Sequence, residues 1–147
     1  MKTIICDIDG TLSDCSHRLH FLENKDWESF FAAAPQDTLN QWCFDLLENL
    51  QGQYHIVFVT GRPERTRSQT EQWMIDHEVP YYHIYMRPDF LPNGKPDHRQ
   101  DFEVKRELYE RYLKDKDIAF VIDDRDQVVD EWRRLGLVCL QCADGNY

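Results

Sequence analysis

In MKTIICDIDGTLSD, residues 1–14, the apolar, β-branched run Thr3–Cys6 leads directly into Asp7-Ile8-Asp9-Gly10-Thr11. The run reads as a buried strand. Side-chain direction along a strand repeats every two residues, so Asp7 and Asp9 aim toward the same region just beyond its end. Two carboxylates held that close must share a cation or a proton. Gly10 supplies the backbone freedom for a sharp turn away from the strand. Taken alone, the string also fits a strand whose acidic residues merely cap a turn, so its meaning depends on what else reaches the same place.

Four further short apolar runs follow, at His55–Val59, Tyr82–Met86, Ile118–Ile122 and Leu137–Leu140. Between them, segments with helical spacing cover roughly Leu39–Leu50, Glu64–His77, Asp101–Leu113 and Gln127–Leu135. Strand and helix therefore alternate, as a parallel α/β sheet with right-handed crossovers requires. We expect one domain over residues 1–147, with a small cap or lid within about residues 14–38, because Ser13–Gln53 is too long for a single crossover helix. In that cap Trp27, Phe30 and Phe31 share one helix face. Core packing is the favoured reading of this face, with stacking on a substrate as the alternative. Arg87–Gln100, which holds three prolines and one glycine, reads as a long loop of the kind that often carries function.

The chain has 147 residues, 41% hydrophobic and 30% charged, which excludes collagen-like, low-complexity and disordered classes. Its 27 acidic residues against 17 basic ones give a formal net charge of -10. That balance argues against membrane-surface binding and against gripping a nucleic-acid duplex along its length, while leaving room for a local basic pocket. Part of the acidic excess would be explained by a cation site. No apolar run is long enough to span a membrane, and acidic residues interrupt the start before a signal-peptide core forms; we expect a cytoplasmic protein. The five scattered cysteines, Cys6, Cys15, Cys43, Cys139 and Cys142, are expected as free thiols.

Two other strand ends carry polar motifs. Thr60-Gly61-Arg62 follows the second predicted strand, and Asp123-Asp124-Arg125 closes the fourth. In a parallel sheet these ends meet Asp7 and Asp9 along the carboxyl edge, where ligands bind at the topological switch point. Lys105 lies four residues after Asp101 on one helix face.

This ordered set resembles the haloacid dehalogenase (HAD) superfamily of phosphohydrolases, in which D-x-D-G-T, a Thr or Ser, a Lys and an acidic pair follow one another along the chain. The resemblance implies a Rossmann-like three-layer α/β/α fold with strand order 3-2-1-4-5. It further implies an Mg²⁺-dependent phosphomonoesterase with Asp7 as nucleophile, forming an aspartyl-phosphate, and Asp9 as general acid and then base. Asp7, Asp9, Asp123 and Asp124 would hold the metal, Asp9 through its backbone carbonyl, while Thr60, Gly61 and Lys105 would hold phosphoryl oxygens. A response-regulator receiver uses similar residue types in a different order along the chain.

A closer resemblance is to the 3′-phosphatase domain family of phage polynucleotide kinase and its stand-alone relatives. It rests on IDDRDQVVDEWRRLGLVCLQCADGNY, residues 122–147, with its D-D-R-x-Q-V-V, W-R-R-x-G and Q-x-A-x-G patterns, and on Arg18, Arg62 and the Asp101-x-x-x-Lys105 spacing. It implies Arg18 and Arg62 as phosphate-orienting groups, Asp101 and Arg125 as supporting residues, and a phosphorylated nucleic-acid end or nucleotide as substrate. Arg18 alternatively only pairs with acidic surface. The Arg87–Gln100 loop is longer than that family's usual connection. No G-x-x-x-x-G-K-[ST] occurs, so the resemblance reaches the phosphatase activity only. A small-nucleotide or broad-specificity phosphatase is the alternative.

Weaker signals are given structural readings. Cys139-x-x-Cys142 lacks a second pair to complete a metal site, with redox chemistry as the alternative. His17 and His20 lack a third ligand, and His98 reads as an exposed loop residue.

Overall fold

The computed structural model describes residues 1–147. Five parallel strands form the central sheet: β1 (Lys2–Cys6), β4 (Tyr54–Pro63), β5 (His83–Arg87), β6 (Ile118–Asp123) and β7 (Cys139–Gln141). Two two-residue strands, β2 (Ser13–Asp14) and β3 (Thr38–Leu39), pair antiparallel in a separate ribbon. The sheet runs β5-β4-β1-β6-β7, which is 3-2-1-4-5 when its own five strands are counted in chain order.

Alternation along each strand divides the core in two. Cys6, Ile56, Phe58, Ile84 and Ile122 face one way, against α3 (Gln41–Leu50) and α4 (Arg67–Asp76), which contribute Cys43, Leu47, Trp73 and Met74. Their neighbours Ile5, Val57, Val59 and Val121 face the other way, against α5 (Asp101–Tyr112) and α6 (Asp126–Arg134), through Val104, Leu108, Val129 and Trp132. Both faces of the sheet are covered, which explains why the strands read as continuous apolar runs with no polar alternation.

The segment expected as a cap is bracketed by the β2–β3 ribbon and contains two short helices, α1 (His20–Glu23) and α2 (Trp27–Ala32). The ribbon was not legible in the sequence, since two residues show no periodicity. Asp26 starts α2 by accepting from the Ser29 amide at 3.1 Å, and the Gln69 amide group of α4 donates to the Phe31 carbonyl at 3.0 Å. The cap is thereby tied to the core.

Two expectations change in detail. Thr60-Gly61-Arg62, expected after the second strand, lies inside the extended β4, where the β4–β5 register shifts between Thr60 and Pro63 while the chain continues extended. The Arg87–Gln100 loop is folded: Phe90 bridges Pro96, and the Leu91 amide donates to the Lys95 carbonyl at 2.8 Å. No helix is long and apolar enough to cross a membrane.

Candidate active site

The ends of β1 and β6 are adjacent strands of the sheet, and the Asp7 amide donates to the Ile122 carbonyl at 3.0 Å. That bond puts the Asp7 carboxylate beside Asp123 and Asp124. The three are buried, and each offers an oxygen within 4.8 Å of the others. Lys105 reaches in from α5, its Nζ donating to Asp7 Oδ1 at 2.8 Å and to Asp123 Oδ2 at 2.9 Å. Thr11 Oγ1 donates to Asp7 Oδ2 at 3.0 Å and lies 3.4 Å from Asp124 Oδ1. Trp132 Nε1 and the Asp124 amide hold Asp123 at 3.1 and 2.9 Å.

One ammonium cannot neutralise three carboxylates. Burial, and next the Asp123 charge, push the Asp7 carboxyl well above the usual range against the pull of Lys105. Asp124 is raised as well, by burial first. Burial disfavours the Lys105 ammonium, but Asp123 and Asp7 outweigh it and hold its pKa above the ordinary lysine value. Gly10, at φ +84°, makes this crowding possible: a Cβ there would lie 2.3 Å from Asp124 Oδ2. A compact group of hard, anionic oxygens with too few internal counter-charges fits a hard divalent cation such as Mg²⁺.

The Asp9 side chain is not part of that group. It faces two arginines: Arg62 Nη2 and Arg18 Nη2 donate to Asp9 Oδ1 at 2.6 and 2.5 Å, and Arg62 Nε adds bonds at 3.1 and 3.2 Å. Burial opposes the Asp9 charge, yet Arg62 and then Arg18 outweigh it and hold the carboxyl well below the usual range. Arg18 is fully buried. Asp37 secures it, accepting from Arg18 Nε at 2.8 Å and Nη2 at 2.6 Å, while the Phe30 carbonyl accepts from Nη1 at 3.3 Å. Thr70 takes Arg62 Nη1 at 3.2 Å.

Above the carboxylates opens a cleft of about 510 Å³ whose lining includes Asp7, Lys105, Asp124, Gly61 and, from the cap, Trp27 and Phe31. The sequence model of the family described as polynucleotide kinase PNKP phosphatase domain matches residues 1–147. Among solved structures, a chain of the Pnkp1/Rnl/Hen1 RNA repair complex is 34% identical, with TM-score 0.83, over 99% of this chain and 43% of that one. A second Pnkp1/Rnl/Hen1 complex gives 33% identity and TM-score 0.80, over 99% and 47%. A haloacid dehalogenase-like hydrolase from Streptococcus pneumoniae shares the fold at 17% identity, with TM-score 0.66, over 96% and 84%.

The chain belongs to the PNKP phosphatase-domain family of HAD phosphatases. It is a phosphoric monoester hydrolase of HAD type, and it spans less than half the length of the two Pnkp1-complex chains. Within this HAD phosphatase the residues singled out in the sequence gather at one sheet edge. Arg18 and Arg62 bond Asp9 and Asp37 and are not among the residues lining the cleft. Asp101 makes no bond to Lys105; its carboxylate accepts from Arg87 Nη2 at 2.7 Å and Arg125 Nη1 at 3.0 Å. Thr60 Oγ1 accepts from the Arg62 amide at 3.1 Å, and the next residue, Gly61, lines the cleft.

Sequence reasoning missed Asp37, Arg87 and Tyr147. Asp37 had an indirect signal, since a buried arginine demands a carboxylate partner. Arg87 organises the long loop, donating to the Gly61 carbonyl at 2.8 Å and the Arg99 carbonyl at 2.7 Å. Tyr147 donates its hydroxyl to Asp124 and lies under the Arg125 guanidinium, 5.3 Å from ring centroid to Cζ; nothing in its sequence context pointed there. His17 Nε2 is engaged with Asp37 at 2.8 Å, and His98 is exposed in the loop.

Proposed function

We propose that this chain is an Mg²⁺-dependent polynucleotide 3′-phosphatase that removes terminal phosphate during nucleic-acid end processing. The observation that carries this reading is the division of labour at the end of β1: Asp7 sits in the crowded carboxylate group, whereas Asp9 is held apart by two arginines. Similarity to chains of an RNA repair complex supports a nucleic-acid end as the substrate.

Asp7 is the nucleophile. Its oxygens are presented by Lys105 and Thr11, which orient the carboxylate toward the cleft floor. Lys105 also supplies positive charge for phosphoryl oxygens, joined by the Gly61 backbone and Thr60. Asp7, Asp123, Asp124 and the Asp9 carbonyl would hold Mg²⁺, which when bound neutralises charge between an anionic nucleophile and an anionic phosphate. Asp9, kept ionised and fixed by Arg18 and Arg62, is ready to take a proton from the water that hydrolyses the aspartyl-phosphate. In the preceding step Asp9 gives the leaving 3′-oxygen a proton that it must first take up from solvent as substrate binds, against the pull of Arg18 and Arg62, and that transfer leaves it ionised for the water step. Asp37 acts through Arg18 as a positioning residue.

The test compares a 3′-phosphorylated oligonucleotide with 3′- and 5′-mononucleotides and simple sugar phosphates at equal concentration. We expect kcat/KM at least tenfold higher for the oligonucleotide, about 1.4 kcal/mol of discrimination. A smaller preference overturns the polynucleotide reading in favour of a small-nucleotide phosphatase. Turnover by Asp7→Asn at wild-type rate overturns the nucleophile assignment.

A further inference from the structure

The aromatic cap face does not simply pack on the core. Phe30 is buried, with the Arg18 guanidinium 4.3 Å from its ring centroid, so its place is explained by the arginine it covers. Trp27, on the same helix, remains 39% exposed and lines the cleft together with Phe31, opposite chemistry made of carboxylates and Lys105. Trp27 and Phe31 stand 6.0 Å apart at 26° between ring planes, and Trp27 meets Phe30 edge-on at 5.9 Å. The indole is therefore supported by two rings while part of its surface is left to the cleft.

The mount is stiff. Glu28, the next residue, bonds Arg65 at 2.6 Å, and Arg65 in turn contacts Asp89 at 3.4 Å, which links the cap to the segments after β4 and β5. An exposed indole beside a phosphate-handling floor gives no advantage toward inorganic phosphate or a bare sugar phosphate. It suits a leaving group that carries a flat π-face next to its phosphate.

We infer that Trp27, backed by Phe31, stacks on the nucleobase of the phosphorylated terminal nucleotide and makes the base a determinant of specificity. The inference rests on the phosphatase site described above and deepens it, but it holds for a polynucleotide end and a mononucleotide alike. The occupant is a nucleobase because one cleft joins a cation-assisted phosphate site to an aromatic wall whose indole keeps an exposed face.

The experiment measures kcat/KM for two matched pairs: a 3′-phosphorylated oligonucleotide against the same strand with an abasic terminal sugar, and adenosine 3′-monophosphate against ribose 3-phosphate. In wild type we expect the base-bearing member of each pair to be preferred at least tenfold. In Trp27→Ala that preference falls to within about twofold, and Trp27→Phe restores most of it. A preference in Trp27→Ala equal to that of wild type overturns the inference. Indole fluorescence provides a reading independent of turnover: adenosine 3′-monophosphate quenches Asp7→Asn protein, and the added change Trp27→Phe removes that quench. Quenching that survives the double substitution also overturns it. If mononucleotides outcompete oligonucleotides while the base-dependent preference persists, the polynucleotide reading fails and the stacking inference stands.

Discussion

Removing Asp124's charge should make the metal-free protein more stable while making it a worse enzyme. Asp124 faces two like charges, Asp7 and Asp123, with oxygens no more than 4.8 Å apart. At an effective dielectric constant of about 20, each such pair repels by about 3.5 kcal/mol. Lys105 offsets about one of the two, leaving roughly 3 kcal/mol of unfavourable charge on Asp124. The substitution Asp124→Asn keeps an acceptor for Tyr147 but turns an amide toward Thr11, a loss of about 1–2 kcal/mol. The net expectation is a gain of about 1–2 kcal/mol in unfolding free energy. The sign agrees with linkage: a carboxyl whose folded pKa is raised favours the fold below its unfolded pKa and loses that contribution as pH rises through the folded value, so ionised Asp124 is a cost at neutral pH.

Urea unfolding at pH 7.5 in chelator reads this out directly, with Asp124→Asn the more stable protein. Added Mg²⁺ should reverse the order. At 100 times its dissociation constant the ion contributes about 2.7 kcal/mol to wild type and little to the variant, whose site has lost a ligand. Phosphatase activity of the variant should fall at least a hundredfold. If Asp124→Asn is less stable than wild type in chelator, the carboxylates are not in mutual conflict and the electrostatic argument fails. If Mg²⁺ stabilises both proteins equally, the ion binds elsewhere.

Three further outcomes follow from neighbouring contacts. Asp37→Asn leaves the buried Arg18 with Asp9 as its only charged partner and should cost about 3 kcal/mol in urea unfolding, with kcat reduced more than KM is changed; unaltered kcat would show that Arg18 does not need this anchor. Gly10→Ala forces a side chain into a φ of +84° against Asp124, so activity should drop at least tenfold and stability by about 1–3 kcal/mol, and wild-type activity in that variant would contradict the crowding described at the β1 turn. Cys139 and Cys142 have thiols pushed up to about 12, in both by burial before any charge, so at pH 8 about one in 10,000 is thiolate; iodoacetamide should leave both unmodified in the native protein and label them after unfolding, and rapid native labelling would contradict their assignment as structural thiols.

The parts of this molecule that were readable in the sequence are those whose physics is local. Ile4, Ile5 and Cys6 announce a two-faced buried strand by their apolarity, and the same logic placed all five sheet strands and the four longer helices. Asp7, Asp123 and Asp124 were readable because strand direction and sheet order bring strand ends to one edge. What escaped was the partnering of charged side chains across long sequence separations. Arginines 18 and 62 meet carboxylates here, and their chemistry alone does not foretell it, since a guanidinium serves a carboxylate and a phosphate equally well. Which one it meets depends on Asp37, whose approach is set by a ribbon of two two-residue strands that leaves no pattern in the sequence. Asp101 likewise sits at helical spacing from Lys105, yet its carboxylate turns to Arg87 and Arg125. Lys105 is drawn instead to the larger negative charge of Asp7 and Asp123. Local spacing tells which groups can meet; the net charge waiting at the sheet edge decides which of them do.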